Sequence, residues 1–295
     1  MKILITGASG FLGHAVYHHL RSRHRMVALG HRQCGVDVRS LDLRDARSWQ
    51  AELEAAAPDV VIHCAAYRDP DYCEREQAET RRLNITPVRV LVDTLPTTAR
   101  IFFVSTDYVF DGEHPPYRED AQRRPINFYG HSKLEAEDIV SERTSSVILR
   151  IPLLMGCGPT YAASGFIRKM IDTLEDEEAP AFDDQIMRFP TSIQDVAIVL
   201  EGLLDQNDQH GVFHFSGPEG KTQLGWAREL AGLLGRDPAV VQPVEGGAQR
   251  AALRPLNSQL ATDRLKQLGF LPQATFAEVA QQVLAMRSEH ETLSV

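Results

Sequence analysis

The chain of 295 residues has no apolar run approaching the length of a membrane span, so a membrane partner is not expected. Cysteine is scarce. The four present, Cys34, Cys64, Cys73 and Cys157, form no C-x-x-C pair and have no histidine at metal spacing, which argues against a disulfide scaffold or a zinc site. Reduced thiols in a cytoplasmic protein are the economical reading. An excess of positive charge is missing too: the net charge of −9 argues against nucleic acid or an anionic membrane as the main partner. The one basic run, "RSRHR" at 21–25, is short and reads as a solvated helix end. His14 and His18 lack the intervening glutamate of the zinc-protease motif and read as solvent-side helix residues, so no metal is expected. The opening "MKILITGASG" breaks its apolar run with glycines too early for a signal peptide. No internal repeat, low-complexity tract or flexible linker is visible.

What is present is the profile of a soluble globular protein, 43% hydrophobic and 24% charged. Short continuous apolar runs at 2–6, 26–30, 59–65, 100–105 and 146–151 read as strands covered on both faces. Helical patterns at 11–23, 45–56, 73–95 and 128–142 lie between them. That alternation predicts βαβ units and an α/β, doubly wound parallel sheet. After about residue 151 the rhythm changes to helices at 163–176, 192–205, 222–234 and 275–287 with one strand at 211–217. A first α/β domain over 1–150 and a smaller mixed α/β capping lobe over 151–295 are therefore expected, with parts of about 190–217 returning to the first domain. The acidic "EDEE" at 175–178 reads as a solvated helix end.

The first strand–helix turn, "TGASGFLG", places Gly7, Gly10 and Gly13 where a backbone must turn tightly and approach a pyrophosphate. Phe11 and Leu12 open the helix whose N-terminus would carry that group. The second strand ends in Gly30, His31 and Arg32 with no carboxylate to accept from a ribose 2′-hydroxyl. A free arginine there suits a 2′-phosphate, which favours NADP(H), with NAD(H) as the alternative. Asp42 and Leu43 follow the third strand signal and would hold the adenine edge. Ala65, Ala66 and Tyr67 end the fourth strand, where small residues let a cofactor lie close. Ser105, Thr106 and Asp107 emerge at the carboxyl end of the next strand, the edge where open α/β sheets bind ligands.

Tyr129 and Lys133, in "NFYGHSK", are one helical turn apart and share a face. A nearby ammonium favours the phenolate, so Lys133 is expected to bring the Tyr129 phenol down toward working pH for proton transfer. Tyr129, Lys133 and Thr106 are thus the candidate catalytic residues.

The motifs "TGASGFLG", "STDYVFDG" and "YGHSK" resemble the extended short-chain dehydrogenase/reductase superfamily. Within it the chain is similar to dTDP-4-dehydrorhamnose reductase, on "STDYVFDG", "PINFYGHSKLEAE", "DDQIMRFPT" and "RPLNSQLAT" in that order. The resemblance implies a Rossmann fold and NADPH-dependent reduction of a keto group on a nucleotide-linked sugar. It makes Tyr129 the proton donor, Lys133 the ribose ligand and Thr106 its assistant, with Asp107 on the sugar and Tyr67 near the cofactor. A diphosphate needs cations, and Arg188 and Arg254, with Arg168, Lys169 and Arg250, are the candidates in the second half. The chain departs from that pattern at "LRIPLLMG", where Pro152 and Leu153 replace a sugar-stacking tryptophan, and at "CAAYRDPDYCE". Those segments, with "RFPT" and "GVFHFSG", look like the regulatory beta subunit of methionine adenosyltransferase, which implies an NADP-binding subunit acting on a methionine adenosyltransferase partner. An epimerase or dehydratase is less favoured, because Thr106 is followed by Asp-Tyr instead of Asp-Glu. A homodimer is the assembly considered for the reductase.

Overall fold

The computed structural model describes residues 1–31, 37–176, 180–244 and 250–293. Its first half runs β1 (Lys2–Thr6), α1 (Phe11–Leu20), β2 (Arg25–Gly30), β3 (Val38–Ser40), α2 (Ala46–Ala56) and β4 (Val60–His63). Next come α3 (Pro70–Arg75), α4 (Gln77–Asn84), α5 (Thr86–Thr94), β5 (Arg100–Thr106), α6 (Phe128–Ser141) and β6 (Val147–Ile151). The second half continues with β7 (Leu154–Met155), α7 (Gly165–Asp176), β8 (Ala181–Phe182), β9 (Met187–Arg188), β10 (Thr191–Ser192) and α8 (Ile193–Asp205). It ends with β11 (Gly211–His214), β12 (Lys221–Thr222), α9 (Gln223–Leu233), β13 (Gln242–Pro243), α10 (Asp263–Gln267) and α11 (Phe276–Leu293).

Seven parallel strands form the central sheet in the order β3-β2-β1-β4-β5-β6-β11. Period-two alternation splits each strand between two cores. Ile3 and Ile5 face Val16 and Leu20 of α1 and Val196 and Leu200 of α8. Leu4 between them faces the opposite layer, with Trp49 and Leu53 of α2, Leu91 of α5 and Val140 of α6. Both faces are covered, which is why these strands read as continuous apolar runs. The order reverses between β1 and β4, so a crevice opens there at the carboxyl ends of the strands.

The strand expected at 211–217 in the second half pairs with β6 in the central sheet, and α8 packs on α1. A separate core joins α7, α9 and α11 through Ile171, Leu174, Trp226, Leu230, Phe276 and Val283. The single helix expected over 73–95 is three. Glu76 leaves helical geometry at φ −113° and ψ 57°, and Pro87, which lacks an N–H, sits in the first turn of α5. Among the described residues, no helix is long and apolar enough to cross a membrane.

Candidate active site

A cleft of about 590 Å³ runs along the carboxyl ends of the strands. At its start the chain turns from β1 into α1 with Gly7 at φ +71°. A β-carbon on Gly7 would lie 2.9 Å from the Ala65 nitrogen, and one on Gly13 would lie 2.1 Å from the Gly7 oxygen. Only glycine lets the turn, the helix and the end of β4 close on one another this tightly. α1 begins at Gly10 with no side-chain cap and no acidic residue in its first turn. Its first N–H groups, beside Phe11 and Leu12 on the cleft wall, are left for an anionic ligand. The residues present therefore fit the pyrophosphate of a dinucleotide.

At the far end, His31, Asp42, Leu43, Ala65, Ala66 and Tyr67 all line the cleft. Ser40 fixes the His31 carbonyl at 3.0 Å. Arg32 lies outside the described residues. Arg44 was not anticipated from the sequence: it lines the same wall, binds Asp42 at 2.7 Å, and reaches the Tyr67 hydroxyl and Glu79 at 3.2 Å each. Its hydrogen bonds hold the Asp42 carboxyl down at about 2. Asn84, buried, grips the Tyr67 backbone from both sides, accepting from its N–H at 2.8 Å and donating to its carbonyl at 3.0 Å. No motif in the sequence marks that contact.

The middle of the cleft holds Thr106, Tyr129 and Lys133 together. Asn127 caps α6 by accepting from the Gly130 N–H at 2.9 Å, which sets Tyr129 in the first turn. Burial raises the phenol above its ordinary value, and a hydrogen bond with Thr106 opposes that rise. This corrects the expectation that Lys133 pulls the phenol down. The Lys133 ammonium gives one of its three donors to the Val104 carbonyl at 2.7 Å and sits 3.9 Å from the Phe103 ring centre. Burial lowers Lys133 itself to about 7. A phenol held protonated beside a hydroxyl and a buried amine can donate a proton to a bound oxygen.

On the open side, Asp107 lines the cleft while its oxygens accept from Thr106 at 3.0 Å and from Ser258. Arg188 also lines it, with its guanidinium 5.6 Å from the Tyr108 ring centre. Its Nη1 is buried and has no hydrogen-bond partner among the described residues. Arg254 is not a lining residue. It pairs with Asp71 at 2.7 Å, outside the cleft. Arg168 and Arg250 are paired with Asp172 and Asp183, whereas Lys169 does line the cleft. Pro152 and Leu153 stand on its wall. No cluster of three or more potential metal ligands occurs among the described residues.

The RmlD substrate binding domain matches residues 1–288. The chain belongs to the RmlD substrate-binding domain family. Methionine adenosyltransferase 2 subunit beta of Bos taurus is 33% identical over 276 residues, 91% of this chain and 82% of that protein. A probable dTDP-4,6-dihydroxy-2-methyloxan-3-one 4-ketoreductase of Streptomyces antibioticus is 32% identical over 281 residues, 92% of this chain and 90% of that protein. The crystal structure of dTDP-4-dehydrorhamnose reductase from Bacillus anthracis in complex with NADP is similar at a TM-score of 0.82 and 25% identity, covering 96% of this chain and 98% of that one. This chain is thus similar both to proteins named as reductases and to a protein named as a subunit of another enzyme.

Proposed function

We propose that the protein is an NADP(H)-dependent reductase of a keto group on a nucleotide-linked sugar, resembling dTDP-4-dehydrorhamnose reductase. The observation that carries this reading is the convergence of Thr106, Tyr129 and Lys133 in one cleft with an uncapped glycine turn. Gly7, Gly10, Phe11, Leu12 and Gly13 would hold the pyrophosphate, and His31, Asp42, Leu43, Ala65, Ala66 and Tyr67 the adenosine and ribose side. The absence of a carboxylate at Gly30–His31 supports NADP(H) over NAD(H). The bound nicotinamide supplies the reducing equivalent. Tyr129 gives its proton to the substrate oxygen. Thr106 orients the phenol, and by turning its single proton from Asp107 it would donate to the oxygen as that atom gains charge; such donors are a large part of catalysis. Lys133 holds the ribose. Arg188, with an unused buried donor, would anchor the diphosphate. The cofactor unit is residues 1–150 with α8 and β11, and the remainder of 151–295 forms the substrate lobe. Free thiols at Cys64, Cys73 and Cys157 support a cytoplasmic setting.

The test is NADPH oxidation on addition of dTDP-4-keto-6-deoxymannose, with Tyr129→Phe beside it. The variant is expected to lose about 10²–10⁴-fold in rate. Equal rates would reject the role given to Tyr129.

A second reading, an NADP-binding regulatory subunit, is supported by the 33% identity to methionine adenosyltransferase 2 subunit beta and by Pro152 and Leu153 on the cleft wall. It predicts co-elution with a methionine adenosyltransferase catalytic subunit and no substrate-dependent NADPH oxidation.

A further inference from the structure

Behind the cleft floor lies a buried charge cluster that the proposed reduction does not touch. Glu137, one turn beyond Lys133 on α6, is fully buried. Its Oε1 accepts from Ser105 Oγ at 2.5 Å and from Arg150 Nε at 2.9 Å. Its Oε2 accepts from Arg150 Nη2 at 2.7 Å and from Arg123 Nη1 at 3.2 Å. Arg150, 2% exposed, extends Nη1 to His214 Nε2 at 3.1 Å and to the Glu119 carbonyl at 3.2 Å. Arginine only donates, so His214 accepts at Nε2, and its Nδ1–H donates to the Ala261 carbonyl at 3.2 Å. His214 is neutral, held by burial at about 3.

The cluster bears on Lys133 in two ways. Tyr129, Lys133 and Glu137 recur every four residues and so lie along one side of α6. Ser105, bonded to Glu137, sits between Val104, whose carbonyl takes the ammonium, and Thr106, whose hydroxyl meets the phenol. From the end of β4, His63 and Cys64 face Lys133. Burial holds the histidine at about 3 and the thiol at about 12, so both are neutral. From β5 come only the Val104 carbonyl and the Phe103 ring. Glu137 is the carboxylate whose charge acts on Lys133 among the described residues.

We propose that Glu137 is a positioning residue for the Tyr129–Lys133 pair, placing a buried carboxylate one turn from Lys133 and clamping β5 to α6 through Ser105. The inference rests on the reading of Tyr129 and Lys133 as the reacting pair. Two guanidiniums share the Glu137 carboxylate. Its removal therefore takes one attraction from Lys133 and also leaves the charges of Arg150 and Arg123 uncompensated behind it.

Lys133 is one of five lysines in the chain, so its charge can be read directly. The full-length protein is labelled with [¹³Cε]lysine, and Lys133→Arg identifies the resonance. In the wild type, burial is expected to bring the Lys133 midpoint down from that of free lysine to about 7. Glu137→Gln, which keeps the side chain's size, is expected to lower that midpoint by at least about one pH unit, a tenfold loss of proton affinity. Arg123→Gln, at a half-exposed site, is expected to raise it, and this variant carries the test if Glu137→Gln does not fold. Glu137→Gln is also expected to shift the pH profile of NADPH affinity in the same direction as the resonance. A Lys133 midpoint unmoved in either variant overturns the proposal. Failure of the functional reading would look different: Tyr129→Phe would reduce substrate as fast as wild type while the Lys133 titration still responded to Glu137.

Discussion

The Lys133 ammonium donates to the Val104 carbonyl at 2.7 Å instead of to the phenol of Tyr129 one turn earlier. The helix face shared by the two residues is therefore not a proton relay in itself. It aims an amine at the strand end and a phenol at the neighbouring hydroxyl, with the space above them left for ligands. Burying an amine this way has consequences for stability that can be measured without substrate.

Lys133→Met should stabilise the ligand-free protein. Lys133 is 3% exposed and its value falls from 10.5 to about 7. The unfolded chain binds the proton more tightly, so stability rises with pH between those two values. The cost of holding Lys133 is thus largest below the folded value and vanishes above the unfolded one. Chemical denaturation should find Lys133→Met more stable than wild type by about 1–4 kcal/mol under mildly acidic conditions. The gap should narrow steadily as pH rises toward that of free lysine. A gap independent of pH would mean the amine is not desolvated in the fold. The same variant should lose the thermal shift that NADPH gives the wild type.

Gly7→Ala should damage both fold and cofactor site. The residue sits at φ +71°, and its added carbon would press on the Ala65 nitrogen at 2.9 Å. The left-handed backbone alone costs roughly 1–2 kcal/mol for a residue with a β-carbon. Ala65 lines the cleft, so relief of the clash must distort the binding wall. A lower melting temperature together with loss of the NADPH-induced shift is expected. Gly232→Ala in α9 is the control, because nothing lies within 4 Å of the new carbon. It should gain about 0.5–1 kcal/mol from helix propensity. Equal effects at the two sites would contradict the reading of the turn.

Arg150→Met tests the buried cluster as structure. Arg150 is 2% exposed and Glu137 fully buried, so the substitution leaves a carboxylate with only Ser105 and Arg123. Breaking one side of such a pair typically costs about 3–5 kcal/mol. The urea midpoint should fall accordingly with an unchanged slope. A loss below about 1 kcal/mol would mean that Arg123 or water replaces the missing donor.

Much of this architecture was legible because it depends on local pattern. Continuous runs such as "KILIT" announce strands covered on both faces, and the glycine spacing announces the turn that only a missing β-carbon permits. The breaks at Glu76 and before Pro87 were hidden inside an unbroken helical periodicity, since one residue outside helical geometry does not disturb the apolar pattern. The direction of the Lys133 side chain was not legible either. Spacing places two residues on one face, but the carbonyl that captures the ammonium comes from a strand 29 residues away in sequence. Charge pairing is the hardest to read. Arg188 and Arg254 look alike in the sequence, and only the folded chain gives one a carboxylate partner and leaves the other with an unused donor.

That contrast yields the sharpest substrate test. Arg188 lines the cleft with a buried Nη1 that has no hydrogen-bond partner among the described residues, while Arg254 bonds Asp71 at 2.7 Å and the Ala252 carbonyl at 2.7 Å. A hydrogen bond from a guanidinium to a charged oxygen is worth about 1.5–3 kcal/mol. Arg188→Met should therefore raise the KM for a nucleotide diphosphate-linked sugar by roughly tenfold to a hundredfold, with kcat much less affected. It should leave NADPH affinity alone. Arg254→Met should do the reverse: KM stays near the wild-type value, and stability falls by about 1–2 kcal/mol because the partly buried bonds to Asp71 and the Ala252 carbonyl are lost. Steady-state kinetics and denaturation of the two variants, run together, separate the roles. If Arg254→Met raises KM and Arg188→Met does not, the diphosphate is held outside the cleft described here, and the anchor assigned to Arg188 is wrong.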